Sequence, residues 1–110
     1  MLYDVTMETI NQPSEQRKVY TVTPEPFSGS RQRAVTLTAD LPDDLSEANV
    51  IVDASEKKGY AQGFVDELCA QLAQVRNAYS LTIISDDETL RQRAETSARL
   101  RNFSDRLFFR

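Results

Sequence analysis

The sequence predicts an α/β protein in which a mixed β-sheet of four or five strands carries at least two helices on one face. Three observations predict it. A run of apolar β-branched residues at 50–52 stops at Asp53, as in a strand buried on both faces. Apolar residues then recur at spacings of three and four across residues 61–76, which is typical of a one-sided helix. A second apolar run at 80–84 completes a βαβ unit.

The two faces of the predicted 61–76 helix differ in chemistry. The apolar face, which we expect to lie in the core, consists of Ala61, Phe64, Val65, Leu68, Cys69, Leu72 and Val75. The polar face, which we expect to meet water, consists of Gln62, Asp66, Glu67, Ala70, Gln71 and Gln74.

The remaining elements follow from local patterns. Alternation predicts strands at 2–10, with Tyr3, Val5 and Met7 inward, and at 34–39, while β-branched and aromatic residues predict another at 17–23. An acidic connector at 40–49 is expected to turn Leu45 inward. Ser85 and Glu88 have the spacing of a capping box, which predicts a helix over 86–102. Its inner face would consist of Leu90, Ala94, Ser97 and Ala98, and its arginines, Arg91, Arg93, Arg99 and Arg101, would project outward.

Residues 1–110 are expected to form a single domain. It divides into a strand-rich part at 1–45, a βαβα core at 48–102 and an aromatic tail at 103–110. The tail holds three of the five phenylalanines, so it needs cover, either from its own domain or from another chain.

Composition limits the classes of partner. A net charge of −4 argues against a nucleic acid, because binding to its backbone depends on Lys and Arg. Cys69 is the only cysteine and lies on the apolar face, so no internal disulfide is expected and a reducing compartment fits. No apolar run has the length of a membrane span, and the first residues lack a signal-peptide pattern. We therefore expect a cytoplasmic location and no membrane partner.

No catalytic set is evident in the sequence. There is no histidine, and the loop before Tyr60 lacks the glycines and the G-K-[ST] ending of a phosphate-binding loop. Asp66 and Glu67 are helix neighbours that point about 100° apart, which suits neither a shared proton nor a shared metal ion. Asp53 is expected either to fix the following turn or to lie at a ligand-binding sheet edge. The sequence thus predicts a protein without enzymatic activity, cofactor or metal.

Residues Val50-Ile51-Val52-Asp53-Ala54-Ser55, followed by Gly59-Tyr60-Ala61-Gln62-Gly63-Phe64-Val65-Asp66-Glu67-Leu68, resemble the STAS-like domains of uncharacterised bacterial proteins, which are related to anti-sigma factor antagonists. The resemblance implies a regulator that binds a protein partner, such as a histidine-kinase-like ATPase. In the wider family a serine near the helix start is phosphorylated. The matching positions here are Gln62 and Gly63, and neither can accept a phosphate.

Two functional hypotheses follow. The first is a protein–protein interaction module that docks through the loop 56–63 and the exposed face of the 61–76 helix. Its expected partner-binding residues are Tyr60, Gln62, Gly63, Asp66 and Glu67. The alternative is a homo-oligomeric structural or accessory protein of phage origin, in its simplest form a homodimer, assembled through the basic C-terminal helix and the aromatic tail.

Overall fold

A computed structural model describes residues 17–25, 29–55 and 59–110. Within these residues strands and helices alternate along the chain, which confirms the predicted α/β class. The elements are β1 (Lys18–Val22), α1 (Arg31–Thr38), β2 (Ala48–Asp53), α2 (Gln62–Cys69, continued by a π-helical turn at Ala70–Val75), β3 (Ser80–Ile84), α3 (Glu88–Leu100), a 3-10 turn (Ser104–Arg106) and β4 (Leu107–Phe109).

The four strands lie in the order β1-β2-β3-β4, and each neighbouring pair is parallel. Each helix connects two neighbouring parallel strands, and the strands follow one another across the sheet in chain order. Right-handed connections of this kind place every helix on the same side, so all three helices cover one face of the sheet. They form one layer in which α1 packs on α2 and α2 packs on α3. The predicted mixture of strand directions does not occur among these four strands, and the predicted strand at 2–10 lies outside the described residues.

Strand register assigns the core residues to the face that the helices cover. Val50 of β2 pairs with Tyr20 and Leu81, and Val52 pairs with Val22 and Ile83. All of these except the half-buried Tyr20 are buried, whereas the alternating residues of β2 and β3 are only half-buried. The sheet therefore has a core face and an open face.

The open face is not covered by any helix or strand of the described residues. Val19 near one edge and Phe108 near the other are 56% and 53% exposed. Parallel sheets usually bury both faces, so an open face with apolar side chains is unusual for this topology.

The predicted apolar face of α2 is confirmed from Phe64 to Leu72. Its side chains Phe64, Val65, Leu68, Cys69 and Leu72 are all buried. Val75 was predicted to join them, and this prediction is wrong because its side chain is 62% exposed. The Arg76 N–H donates to the Gln71 carbonyl five residues earlier, and this wider turn rotates Val75 away from the apolar face.

The predicted strand at 34–39 is wrong, because Arg31–Thr38 forms a helix. The Ser30 hydroxyl caps it by accepting from the Arg33 N–H at 3.2 Å. Ala34 and Thr38, four residues apart, are its buried residues, and the Thr38 hydroxyl donates to the Ala34 carbonyl at 3.0 Å. Capping and burial outweigh the β-propensity of the valine and threonines here.

Helix α3 begins later than the capping box predicted. Asp87 is its N-cap and accepts from the Thr89 N–H at 3.0 Å, while the Ser85 hydroxyl accepts from the Asp87 N–H at 3.0 Å. In a capping box the Ser85 hydroxyl would accept from the backbone N–H three residues later. Two hydrogen bonds, each spanning two residues, take its place. The predicted inner face is confirmed, since Leu90, Ala94, Ser97 and Ala98 are buried.

The aromatic tail turns back onto its own domain. Asn102 has a φ of 57°, and the Phe103 N–H donates to the Ala98 carbonyl at 2.8 Å, which closes the helix end. Phe103 is 2% exposed, and Leu107 and Phe109 pack against the core from β4. The prediction that the tail packs on its own domain is thus confirmed for Phe103, Leu107 and Phe109. Phe108 is the exposed aromatic residue of the tail. Among the described helices, none combines the length and apolar character that a transmembrane span requires.

Candidate interaction site

A cleft of about 230 Å³ runs between α2 and α3 on the outer side of the helical layer. Gln62 lies at the α2 side, and Gln92, Thr96 and Leu100, spaced four residues apart, lie along the α3 side. The two glutamines and the threonine are exposed, and Leu100 is 75% exposed. The remaining lining residues are Asp66, Arg93 and Ser97. This cleft combines hydrogen-bonding amides with one open apolar side chain.

Asp66 is tied to all three helices. One carboxylate oxygen accepts from Arg101 Nη1 and from the Ser97 hydroxyl, both at 2.8 Å, and the other accepts from Arg31 Nη1 at 2.8 Å. Arg101 was predicted to project outward, and this is wrong, because its side chain folds over Asp66 and is 16% exposed. Asp66 therefore stabilises the packing of the helices, whether or not a partner also contacts it.

The charge of Asp66 is strongly favoured by these neighbours. Hydrogen bonds from Arg101 and then Arg31 lower the pKa of the Asp66 carboxyl far below its usual range, against a smaller opposing effect of burial. Asp66 is thus an ionised hydrogen-bond acceptor at neutral pH.

Two other predicted partner residues lie on the side of α2 that faces α1. Glu67 lies 3.6 Å from Arg31 Nη1 and accepts from Gln71 Nε2 at 2.9 Å. At Gly63, an added Cβ would meet the Arg31 side chain at 3.6 Å, so Arg31 already occupies the space beside this glycine. The structure therefore separates Gly63 and Glu67 from the α2–α3 cleft, which contains only Gln62 and Asp66 of the five predicted residues.

Tyr60, the fifth predicted residue, is a core residue with 4% exposure. Its ring stacks on Phe64 with centroids 5.7 Å apart, and its carbonyl accepts from Arg93. Its hydroxyl is buried and finds no hydrogen-bond partner among the residues that the structure describes. Burial, followed by the charges of Asp87 and Asp53, raises the pKa of Tyr60 to about 12.

Replacing Tyr60 by phenylalanine is expected to stabilise the protein by about 1 kcal/mol, since it removes a buried hydroxyl that makes no hydrogen bond. A raised pKa in the folded state gives stability that is present below pH 10 and is lost as the pH rises toward about 12. Urea unfolding at pH 7 and pH 11 should show a larger gain for Tyr60→Phe at pH 11. Tyr79→Phe, at a 40% exposed tyrosine, is the control. A loss of stability at pH 7 would contradict the assignment.

Asp53 fixes the turn that follows β2. One of its oxygens accepts from the Ser55 N–H at 3.2 Å and from the Ser55 hydroxyl at 2.7 Å. This agrees with the simpler of the two roles expected from the sequence. Within the described ranges, no group of three or more cysteine, aspartate and glutamate residues is arranged to hold a metal ion.

The comparisons with known proteins give no match. The sequence fits no protein-family model, and neither characterised proteins nor solved structures match it. The site must therefore be interpreted from its own chemistry.

Sequence reasoning did not identify the α3 side of the cleft. Gln92, Thr96 and Leu100 occur at a spacing of four, which places them on one helical face. That face adjoins the predicted inner residue Ser97, and the position of α2 beside it follows from consecutive right-handed crossovers. The spacing of these three residues was visible in the sequence, but assigning them to a cleft required knowing that α2 lies beside α3.

Proposed function

We propose that this domain is a non-enzymatic protein-interaction module of STAS-like type, which binds a segment of a partner protein in the α2–α3 cleft. The chemistry of the exposed side chains that line the cleft is the main support for this proposal. Amide and hydroxyl side chains both donate and accept hydrogen bonds, so Gln62, Gln92 and Thr96 suit a peptide backbone. The exposed side chain of Leu100 suits an apolar side chain of the partner.

Two features support the STAS-like part of the proposal. The helices form one layer on one face of the sheet, and the Gln62–Leu68 stretch that carries the resemblance opens the helix after β2. Gln62 then lies at the cleft, at a position where relatives of this type carry a phosphorylatable serine. Because glutamine cannot be phosphorylated, partner binding is not switched by phosphorylation at this position. A histidine-kinase-like ATPase is the partner that the resemblance implies.

Site-directed photo-crosslinking tests the proposal in cells that naturally produce the protein. A crosslinking amino acid at Thr96 is expected to give a discrete adduct, and mass spectrometry of the adduct identifies the partner. Gln62→Arg together with Leu100→Arg should abolish that adduct by filling the cleft with charge, at an unchanged melting temperature because both side chains are exposed.

The matched control is a crosslinker at Val75, which is 62% exposed and does not line the cleft. It should give no adduct with the same partner. Equal adducts at positions 75 and 96, or an adduct at 96 that persists in the double arginine variant, would reject the cleft as the docking site.

A further inference from the structure

Among the described strands, β4 forms one edge of the sheet, and its outward backbone groups point away from β3. The Arg110 N–H donates to the Ile83 carbonyl at 3.0 Å, and the Arg110 carbonyl accepts from the Ser85 N–H, so the backbone of residue 110 faces β3. Because backbone groups alternate sides along a strand, Phe108 also faces β3, whereas the N–H and C=O groups of Leu107 and Phe109 face outward. An edge of this kind can accept another strand.

The two edges of the sheet differ in how they are protected. Strand β1 carries the exposed charge of Lys18, which is a common means of preventing edge-to-edge pairing. Strand β4 consists of Leu107, Phe108 and Phe109, which carry no charge, and the exposed Arg110 follows it. The guanidinium of Arg106, just before it, lies over the Phe103 ring at 4.6 Å and is thereby held against its own domain.

A groove of about 500 Å³ runs along this edge between β4 and α3. Its lining includes Leu107, Phe108, Phe109, Glu95 and Arg99. Glu95 and Arg99 are both exposed, have opposite charge and lie one helical turn apart. The edge thus presents an apolar strand beside a pair of opposite charges.

We infer that this edge binds a second copy of the chain in a twofold dimer. A twofold axis through Phe108 pairs the two β4 strands antiparallel, so that Leu107 of each copy lies opposite Phe109 of the other and their outward backbone groups bond. The two Phe108 rings then meet on the open face of the joined sheet. The same axis runs the two α3 helices antiparallel, with Glu95 of each copy facing Arg99 of the other.

Self-complementarity is what favours a second copy over an unrelated protein. An isologous interface requires that one patch contain both members of every pair, and β4 with Glu95 and Arg99 meets this requirement. The groove along β4 also shares no lining residue with the α2–α3 cleft, although the two adjoin on the exposed side of α3. The inference is therefore independent of the proposed function.

Sedimentation equilibrium of the full chain over a wide range of concentration tests the dimer. We expect a dimer for the unaltered protein and a monomer for Phe108→Lys, because the axis places the two lysines together. Glu95→Arg alone and Arg99→Glu alone should each weaken the dimer about tenfold, and the double variant Glu95→Arg/Arg99→Glu should restore it.

Val19→Lys is the matched control, since Val19 is equally exposed but lies on β1, and it should leave the dimer intact. A monomer at every concentration would overturn the inference and assign this edge to a different occupant. A dimer that survives Phe108→Lys, or charge variants without rescue in the double variant, would also overturn it.

Discussion

Replacing Asp66 by asparagine is expected to lower the free energy of unfolding by about 2–3 kcal/mol at pH 7. The side chain keeps its shape, but Arg101, which is 16% exposed, loses its ionic partner, and Arg31 loses its 2.8 Å contact. Hydrogen bonds to charged groups contribute more than neutral ones, and a largely buried cation left unpaired is costly. Urea denaturation at pH 7 measures the difference.

The effect of Asp66→Asn should depend on pH. Because the pKa of Asp66 is lowered in the folded state, its stabilising contribution is present above the unfolded value of about 4 and is lost as the pH falls through the folded value. The gap between the two proteins should therefore narrow from pH 5 downward. Asp86→Asn, at an exposed carboxylate, is the control and should change little at either pH. A gap that stays constant down to about pH 2 would contradict the assigned network.

Truncating Phe64 to alanine is expected to lower the free energy of unfolding by about 3–5 kcal/mol, a large part of the total for a domain of this size. Phe64 is 2% exposed, lies in the first turn of α2 and stacks on Tyr60, so its removal leaves a cavity between the helical layer and the sheet. Thermal unfolding should show a melting temperature lower by more than about 10 °C.

Leu100→Ala is the control for Phe64→Ala, because Leu100 is an apolar helical residue that is 75% exposed. It should change stability by less than about 0.5 kcal/mol. Similar losses for the two variants would mean that Phe64 is not a core residue. The position of α2 on the sheet would then be wrong.

The sequence predicted the elements whose apolar spacing is long and regular. Strand β2, helix α2 and strand β3 are each defined by runs in which a single period fits, and the structure has all three. Helix α1 was missed because apolar Val35 and Leu37 alternate with Thr36 and Thr38, and the β-branched residues favour a strand by propensity. Ala34, Leu37 and Thr38 also fit a helical period, and only the Ser30 cap and packing on α2 decide between the two.

The candidate site was harder to predict than the fold. An exposed carboxylate and one bound by two arginines look the same in sequence, so Asp66 was assigned to a docking surface. Its partners Arg31 and Arg101 lie 35 residues away on either side. No local pattern links residues that far apart, and the link depends on three helices packing side by side. Tyr60 was misplaced for a related reason, since stacking on Phe64 buries it at a loop end.

The order β1-β2-β3-β4 has a consequence for synthesis on the ribosome. Each of the three later described strands pairs with the one made just before it, so each new strand–helix unit can add to structure already formed, and none of these four strands waits for a later one to be inserted beside it. The carboxylate of Asp66 reaches Arg101 only after α3 has been made. The four described strands can therefore pair in the order of their synthesis, and the ionic network between the helices is completed only after α3.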